Sequence, residues 1–568
     1  MKYSSLSIII FLAAVNFFAQ VERETRAVWL ATNHRLDWPP PTYNAEKQKQ
    51  ALTDIFDNLK VKNFNTVYFQ ARSIGTVMFN SSFEPFSQYL TGSVGKEPSF
   101  DPLKFAIEEA HKRGIEIHAW INACLVNNGT DSAVLKNKNH ISQTKPEWIV
   151  EDVRDRQKSL WIDPGLPEAR NYLVDLILEM VENYDVDGVH LDYIRYPGKN
   201  FDDDFSYKIH GSGLSRDEFR RKNITPIVED VYQQVKAVKP FVKIGAAPIG
   251  VYKSLAGMKA LESFYDLYQD SYSWMKMGIV DYLTPQIYWG LDENPRFDLL
   301  AKDWKDNEGE SRVVLGIGAY KDNVKENIED MILLARKIKA DGVSFFRYQH
   351  IKDINFPAYK FKVFPAAIKE LNEINPSSPS NLTAVLNADK KHFSLKWTEG
   401  IIESGNDSAS YYSVYNLPNS NTSHSKEFLF DVVAAPRNSL MIAVDKPKKV
   451  NYFFALKSVN KLWNESTEAT NTVKVQIPLM KELAELNREL IKPLLIKESD
   501  NSALIIIESG EGEQVELFGG KGKELFHLGT KTLSIGKNVL VFPAQLKNYD
   551  RVKIVFGKTQ KEVVLQIL

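Results

Sequence analysis

From Thr25 to about Asn375 the chain alternates short apolar runs with longer stretches whose apolar residues recur every three or four positions. The short runs predict eight strands: Arg26 to Ala31, Asn65 to Ala71, Ile115 to Ile121, Gly188 to Tyr193, Val242 to Pro248, Tyr282 to Tyr288, Val313 to Gly318 and Gly342 to Arg347. The spacing between them predicts helices such as Glu46 to Lys60, Leu103 to Arg113, Glu168 to Asn183, Ile224 to Val238 and Val324 to Ala340. Strict alternation of strand and helix implies parallel pairing through right-handed crossovers. Eight such units over roughly 350 residues predict an α/β fold, a (β/α)8 TIM barrel with long loops, over residues 24–375. No glycine-rich phosphate loop follows the first strand, which disfavours a dinucleotide fold.

The pattern changes at Glu373 to Leu382, whose proline and serine content marks a linker. Over residues 378–476 the apolar period becomes two, in Leu382 to Leu386, Phe393 to Trp397, Tyr411 to Tyr415 and Tyr452 to Ser458. With its Pro-Ser-x-Pro opening, a core tryptophan at Trp397 and a tyrosine-rich late strand, this segment resembles a fibronectin type III β-sandwich. Residues 481–568 read as a short helix and then strands, including Ala503 to Glu508 and Val552 to Phe556, a small C-terminal β domain of unassigned type. A barrel ending near Ile374 is therefore expected to fold by itself.

The first residues have a different character. Lys2, the apolar run Leu6 to Phe18 and Ala19-Gln20 form a signal-peptide pattern, with residues 1–19 removed near Ala19. The run is too short to span a membrane, and no later run reaches spanning length. The single cysteine, Cys124, provides neither a lipid attachment near the leader nor an intrachain disulfide. A periplasmic or secreted protein without a membrane anchor is expected. Lys plus Arg (71) nearly cancel Asp plus Glu (72), so no global field draws the chain to nucleic acid.

In a parallel barrel, ligands meet the carboxyl ends of the strands. The stretch Asp185 to Pro197 is the most informative, because a buried-strand run ends in an acid, an aromatic and an arginine. Asp192 is the first candidate for chemistry, and Arg195 stands where it can hold an anion or orient the carboxylate. An ordinary structural pair at a strand end is the competing reading. The other strand ends supply Asn33 and His34; Gln70 and Arg72; His118, Trp120 and Asn122; Gln286, Tyr288 and Trp289; and Arg347 and Tyr348. Period-two spacing puts each cluster on one face, toward the lumen. Aromatic faces, amides, guanidinium groups and carboxylates together are the chemistry of a sugar site, although aromatics there can equally cap the barrel core. No His-Glu-x-x-His helix or Gly-x-Ser-x-Gly elbow is present, so neither a metal nor a cofactor is expected, and Cys124 reads as a packed thiol.

The motifs Phe83-Glu-Pro-Phe-Ser87, Leu90-Thr-Gly92, Phe100-Asp-Pro-Leu103, Glu109 to Gly114, Glu116 to Asn122, Trp161 to Gly165 and Gly188 to Tyr193 occur in order. Together they resemble the glycosyl hydrolase-like 10 family from about Glu24 to Asn375. The resemblance implies a TIM-barrel glycosidase of bacterial envelopes, in a family that includes a hydrolase of peptidoglycan strands stripped of stem peptides. Many relatives carry two adjacent acids after the fourth strand; here only Asp192 matches and Tyr193 follows. Glycoside hydrolysis usually needs a second carboxyl about 5 to 9.5 Å away. Glu84 and Asp163, both in family motifs, are the candidates, although Asp163 also suits a turn. Asp192 is then expected as nucleophile or general base. Gln70, Arg72, His118, Trp120, Asn122, Arg195, Gln286 and Tyr288 are expected to shape the sugar site. The expected partner is a polysaccharide, peptidoglycan glycan first. The alternatives are an exogenous polysaccharide, or a non-catalytic carbohydrate binder on a barrel.

Overall fold

The computed structural model describes residues 23–129, 132–154, 156–367, 375–387, 392–400, 408–443, 451–476, 494–499, 502–509, 513–533, 536–542, 549–557 and 562–566. The expected leader, the first part of the linker and the helix expected from Lys481 lie outside these residues.

Eight parallel strands close into a barrel: Thr25–Leu30, Thr66–Ser73, Glu116–Asn122, Gly188–Asp192, Lys243–Ala246, Tyr282–Leu283, Arg312–Ile317 and Gly342–Phe345. The first pairs with both the second and the eighth, which completes the ring. All eight expected strands are present. The sixth is interrupted at Thr284-Pro285 and resumes as Gln286–Ile287, because proline has no N–H to give the ladder.

Aromatic rings, not a channel, fill the lumen. Tyr68 stacks on His190 with centroids 3.9 Å apart, Trp29 donates its indole N–H to His190, and the Tyr282 hydroxyl meets both His118 and His190. Tyr282 fits only because residue 245 is glycine: a Cβ there would lie 2.0 Å from its ring.

Outer helices match the expected periodicity, with two differences. The helix expected from Ile224 runs over Arg216–Val238, started by a capping box between Ser215 and Glu218. The one expected over Val324 to Ala340 divides into Asp322–Lys325 and Ile328–Lys337. The loop after the third strand also builds a small antiparallel sheet from Leu125–Asn128, Ile149–Arg154 and Gln157–Ile162. Its charged sequence had not suggested strands.

Beyond the barrel the strands are antiparallel. Ser380–Leu386, His392–Thr398 and Ser439–Ala443 form one sheet; Leu429–Ala434, Tyr411–Leu417, Asn451–Val459 and Val473–Gln476 form another. Trp397, Phe393, Tyr412 and Leu456 share a core that draws on both sheets. Two further antiparallel sheets occupy residues 494–566.

The 411–476 sheet is packed against the amino-terminal end of the barrel. Trp463 stacks on Tyr411, lies against Phe364 and donates its indole N–H to Glu116, the first residue of the third strand. Lys243 and His118 hold the other bonds of that buried carboxylate. Burial opposes its charge, yet Lys243 and His118 bring its pKa below the usual range. Arg23 bonds to the carbonyls of Leu462 and Trp463, and Lys60 pairs with Asp431. Residues from beyond the linker therefore finish the lower end of the barrel.

Candidate active site

Asp192 ends the fourth strand, and neighbouring strands hold its carboxyl. Oδ2 accepts from the Trp120 indole N–H at 3.2 Å; Oδ1 accepts from Gln286 Nε2 at 3.1 Å and from the Tyr193 N–H at 2.8 Å. Burial raises its pKa to about 6, against the opposing pull of the Tyr193 N–H, Arg195, Gln286 and Trp120. Tyr193 adopts a left-handed backbone with φ of 50°, a strained geometry for a bulky residue and one that gathers at functional sites.

Three other expected residues surround this carboxyl. Asn122 faces Asp192 across the strand register, and its buried Oδ1 has no hydrogen-bond partner among the described residues. Tyr288 is partly buried with its ring 5.5 Å from that of Phe346; burial and then the Asp192 charge push its phenol well above the usual range. Arg195 lies over the rings of Tyr193 and Trp161, 4.9 and 5.2 Å from their centroids.

The remaining expected residues are placed differently. Glu84 and Arg72 form a two-pronged ion pair, 2.6 and 2.9 Å, with both side chains sealed from solvent. Arg72 also reaches the Ala123 carbonyl. The pair fastens the loop after the second strand to the end of the third, so neither residue faces a substrate. Gln70 accepts from the backbone N–H groups of Thr32 and Asn33 and thereby fixes the loop after the first strand. His118 lies deep in the lumen between Glu116 and Tyr282. Asp163 accepts from the Gly165 N–H within its own turn; burial raises its pKa, against the Ser206 hydroxyl. The substrate-contact roles expected for Gln70, Arg72 and His118, and the acid role expected for Glu84, do not fit these positions.

Some mouth residues escaped the sequence reading. Tyr320 follows the seventh strand and packs edge-on against Tyr288 and Phe346. The Asp37 side chain is fully buried, accepts from the Ala31 and Gln349 N–H groups and pairs with Arg347, bracing the rim between the first and last strands. The rule applied to the other strand ends would have found Tyr320; nothing local marked Asp37. Cys124 is buried, and that burial pushes its thiol up to about 12.

A barrel whose mouth gathers a protonatable carboxyl, amides and aromatic rings has the chemistry of a sugar-cleaving enzyme. Residues 24–331 match the family described as glycosyl hydrolase-like 10. The chain is 32% identical over 518 residues to glycosyl hydrolase YngK of Bacillus subtilis, covering 83% of this chain and 98% of that one. It is 33% identical over 335 residues to glycosyl hydrolase DigH of Escherichia coli, covering 55% and 76%. The chain belongs to the glycosyl hydrolase-like 10 family and is a glycoside hydrolase. Among solved structures, the glycoside hydrolase domain of PgaB from Bordetella bronchiseptica matches 59% of this chain and 99% of its own at 11% identity and a TM-score of 0.41, too loose to bear on the site.

Proposed function

We propose that the chain is an exported hydrolase of an amino-sugar polymer, peptidoglycan glycan strands first, with Asp192 as nucleophile or general base. The observation that carries this reading is the carboxyl of Asp192, fixed by Trp120, Gln286 and the Tyr193 N–H while burial raises its pKa to about 6. The three donors leave Oδ2 with a single partner, so one lone pair is free to meet a sugar carbon or a water proton. The partly exposed Tyr288 ring gives apolar cover for a pyranose ring. Of the two expected proton donors, Glu84 is withdrawn by its ion pair with Arg72. Asp163, which has no ion pair among the described residues and whose pKa burial raises, keeps that role in this proposal.

The substrate preference rests on the family resemblance, and export on the sequence of residues 1–19. A sandwich of one three-stranded and one four-stranded sheet around Trp397 supports the fibronectin type III-like reading of residues 378–476. The test is to incubate the full chain with intact peptidoglycan strands, amidase-stripped strands and a polysaccharide panel, and to identify the released reducing ends. Activity that rises sharply on stripped strands supports the proposal. Equal rates on intact and stripped strands, or cleavage confined to another polysaccharide, would sink it.

A further inference from the structure

Among the described residues, two arginines near the end of the fourth strand keep most of their hydrogen-bonding capacity unspent, and the charge of one of them, Arg195, acts on Asp192. Arg195 is partly exposed, and among the described residues its guanidinium makes one hydrogen bond, from Nη1 to the Tyr196 carbonyl, and no ion pair. Its stacking on Trp161 and Tyr193 fixes the plane and leaves donors along the edge. Arg154 comes from the small antiparallel sheet after the third barrel strand. Asp152 takes its Nε, among the described residues neither Nη group has a hydrogen-bond partner, and its side chain is 49% exposed. Its Nη2 occupies the space over Gly198, 2.3 Å from where a Cβ would stand, which brings it to the loop that carries Arg195. Burial lowers the pKa of Arg195, Tyr193 and Asp192 oppose that, and the Arg154 charge adds to the lowering. Guanidinium groups in such proximity repel one another unless an anion joins them.

We infer that Arg154 and Arg195 form a recognition site for a carboxylate borne on the glycan, next to the bond that Asp192 attacks. The planar forks suit a carboxylate, and the Trp161 and Tyr193 rings hold the Arg195 fork in place. The Asp192 charge keeps that acid away from the reacting carbon, so the pair sets the register of the strand in the groove. Resting on the peptidoglycan reading, this inference supplies its specificity: an amide-linked stem peptide cancels the sugar's carboxylate and adds bulk, and its removal restores the charge.

The test compares the full chain with Arg154→Gln and Arg195→Gln on amidase-stripped strands and on the same strands with carboxylates reduced to alcohols. The expected wild-type preference in kcat/KM for the carboxylate form is roughly tenfold, from charge-assisted hydrogen bonds alone. Each variant should shrink that ratio toward one, chiefly through KM. Equal wild-type rates on both forms, or variants that lose activity equally on both, would overturn the inference while leaving the proposed function standing. If neither form is cut, the peptidoglycan reading fails, and retention of the two forms on immobilised protein still reads the arginines. Tighter binding of the carboxylate form by wild type than by the variants supports them; equal binding overturns them.

Discussion

Glu84 and Arg72 meet through two hydrogen bonds inside the barrel wall, with neither side chain exposed to solvent. Such a pair exchanges two hydration shells for one another, so its disruption is costly even where its formation contributes little. Glu84→Gln leaves the Arg72 charge buried without a counter-ion. Chemical denaturation should show a loss of about 3 to 5 kcal/mol. A variant of wild-type stability that had lost only turnover would instead return Glu84 to the catalytic group.

Asp192→Asn keeps the volume and removes the charge. Turnover should fall by at least about 10² to 10⁴-fold, the usual contribution of a positioned acid or base, with an unchanged circular dichroism spectrum. Near-normal turnover would end the assignment.

The same carboxyl predicts a pH dependence. Its folded pKa of about 6 lies above the ordinary 3.8, so between those values the native state keeps a proton that the unfolded chain has released. Stability from this group is therefore lost as pH rises from about 4 to 6 and is level above, a change of about 3 kcal/mol. Measured by denaturation, the stability of Asp192→Asn relative to wild type should climb by about that amount between pH 4 and pH 7. With Asp192 as nucleophile or base, kcat/KM should rise through an apparent pKa near 6. A pH-independent stability difference would contradict the shift, and a falling limb near 6 would make Asp192 the proton donor.

Trp463→Ala removes the indole that Glu116 and Phe364 contact. A loss of about 3 to 5 kcal/mol is expected, as for other large aromatic truncations in cores, without a change in KM for short oligosaccharides. An altered KM with unchanged stability would mean that the interface communicates with the mouth.

The barrel was legible because its strands are covered on both sides and read as unbroken apolar runs, while the helices keep one apolar stripe. The sheet at 149–162 was not, since Glu151, Arg154 and Lys158 face solvent, Asp152 is a buried charge, and the segment carries no apolar period. The early start of the Arg216 helix was written in the Ser215/Glu218 spacing rather than in any hydrophobic pattern. At the site, period two put His118 and Trp120 on one face, yet it cannot report depth. A step of two residues is about 6.6 Å along a strand, enough to leave Trp120 against Asp192 while His118 lies in the packed lumen. Pairing across loops, as between Arg72 and Glu84, leaves no local trace at all.

The indole at position 463 also gives the molecule a front and a back. The packed rings of Tyr68, His190 and Tyr282 leave only the mouth as an approach to Asp192, and Trp463 stands at the opposite end of the third strand, so the 411–476 sheet lies behind that carboxyl instead of across it.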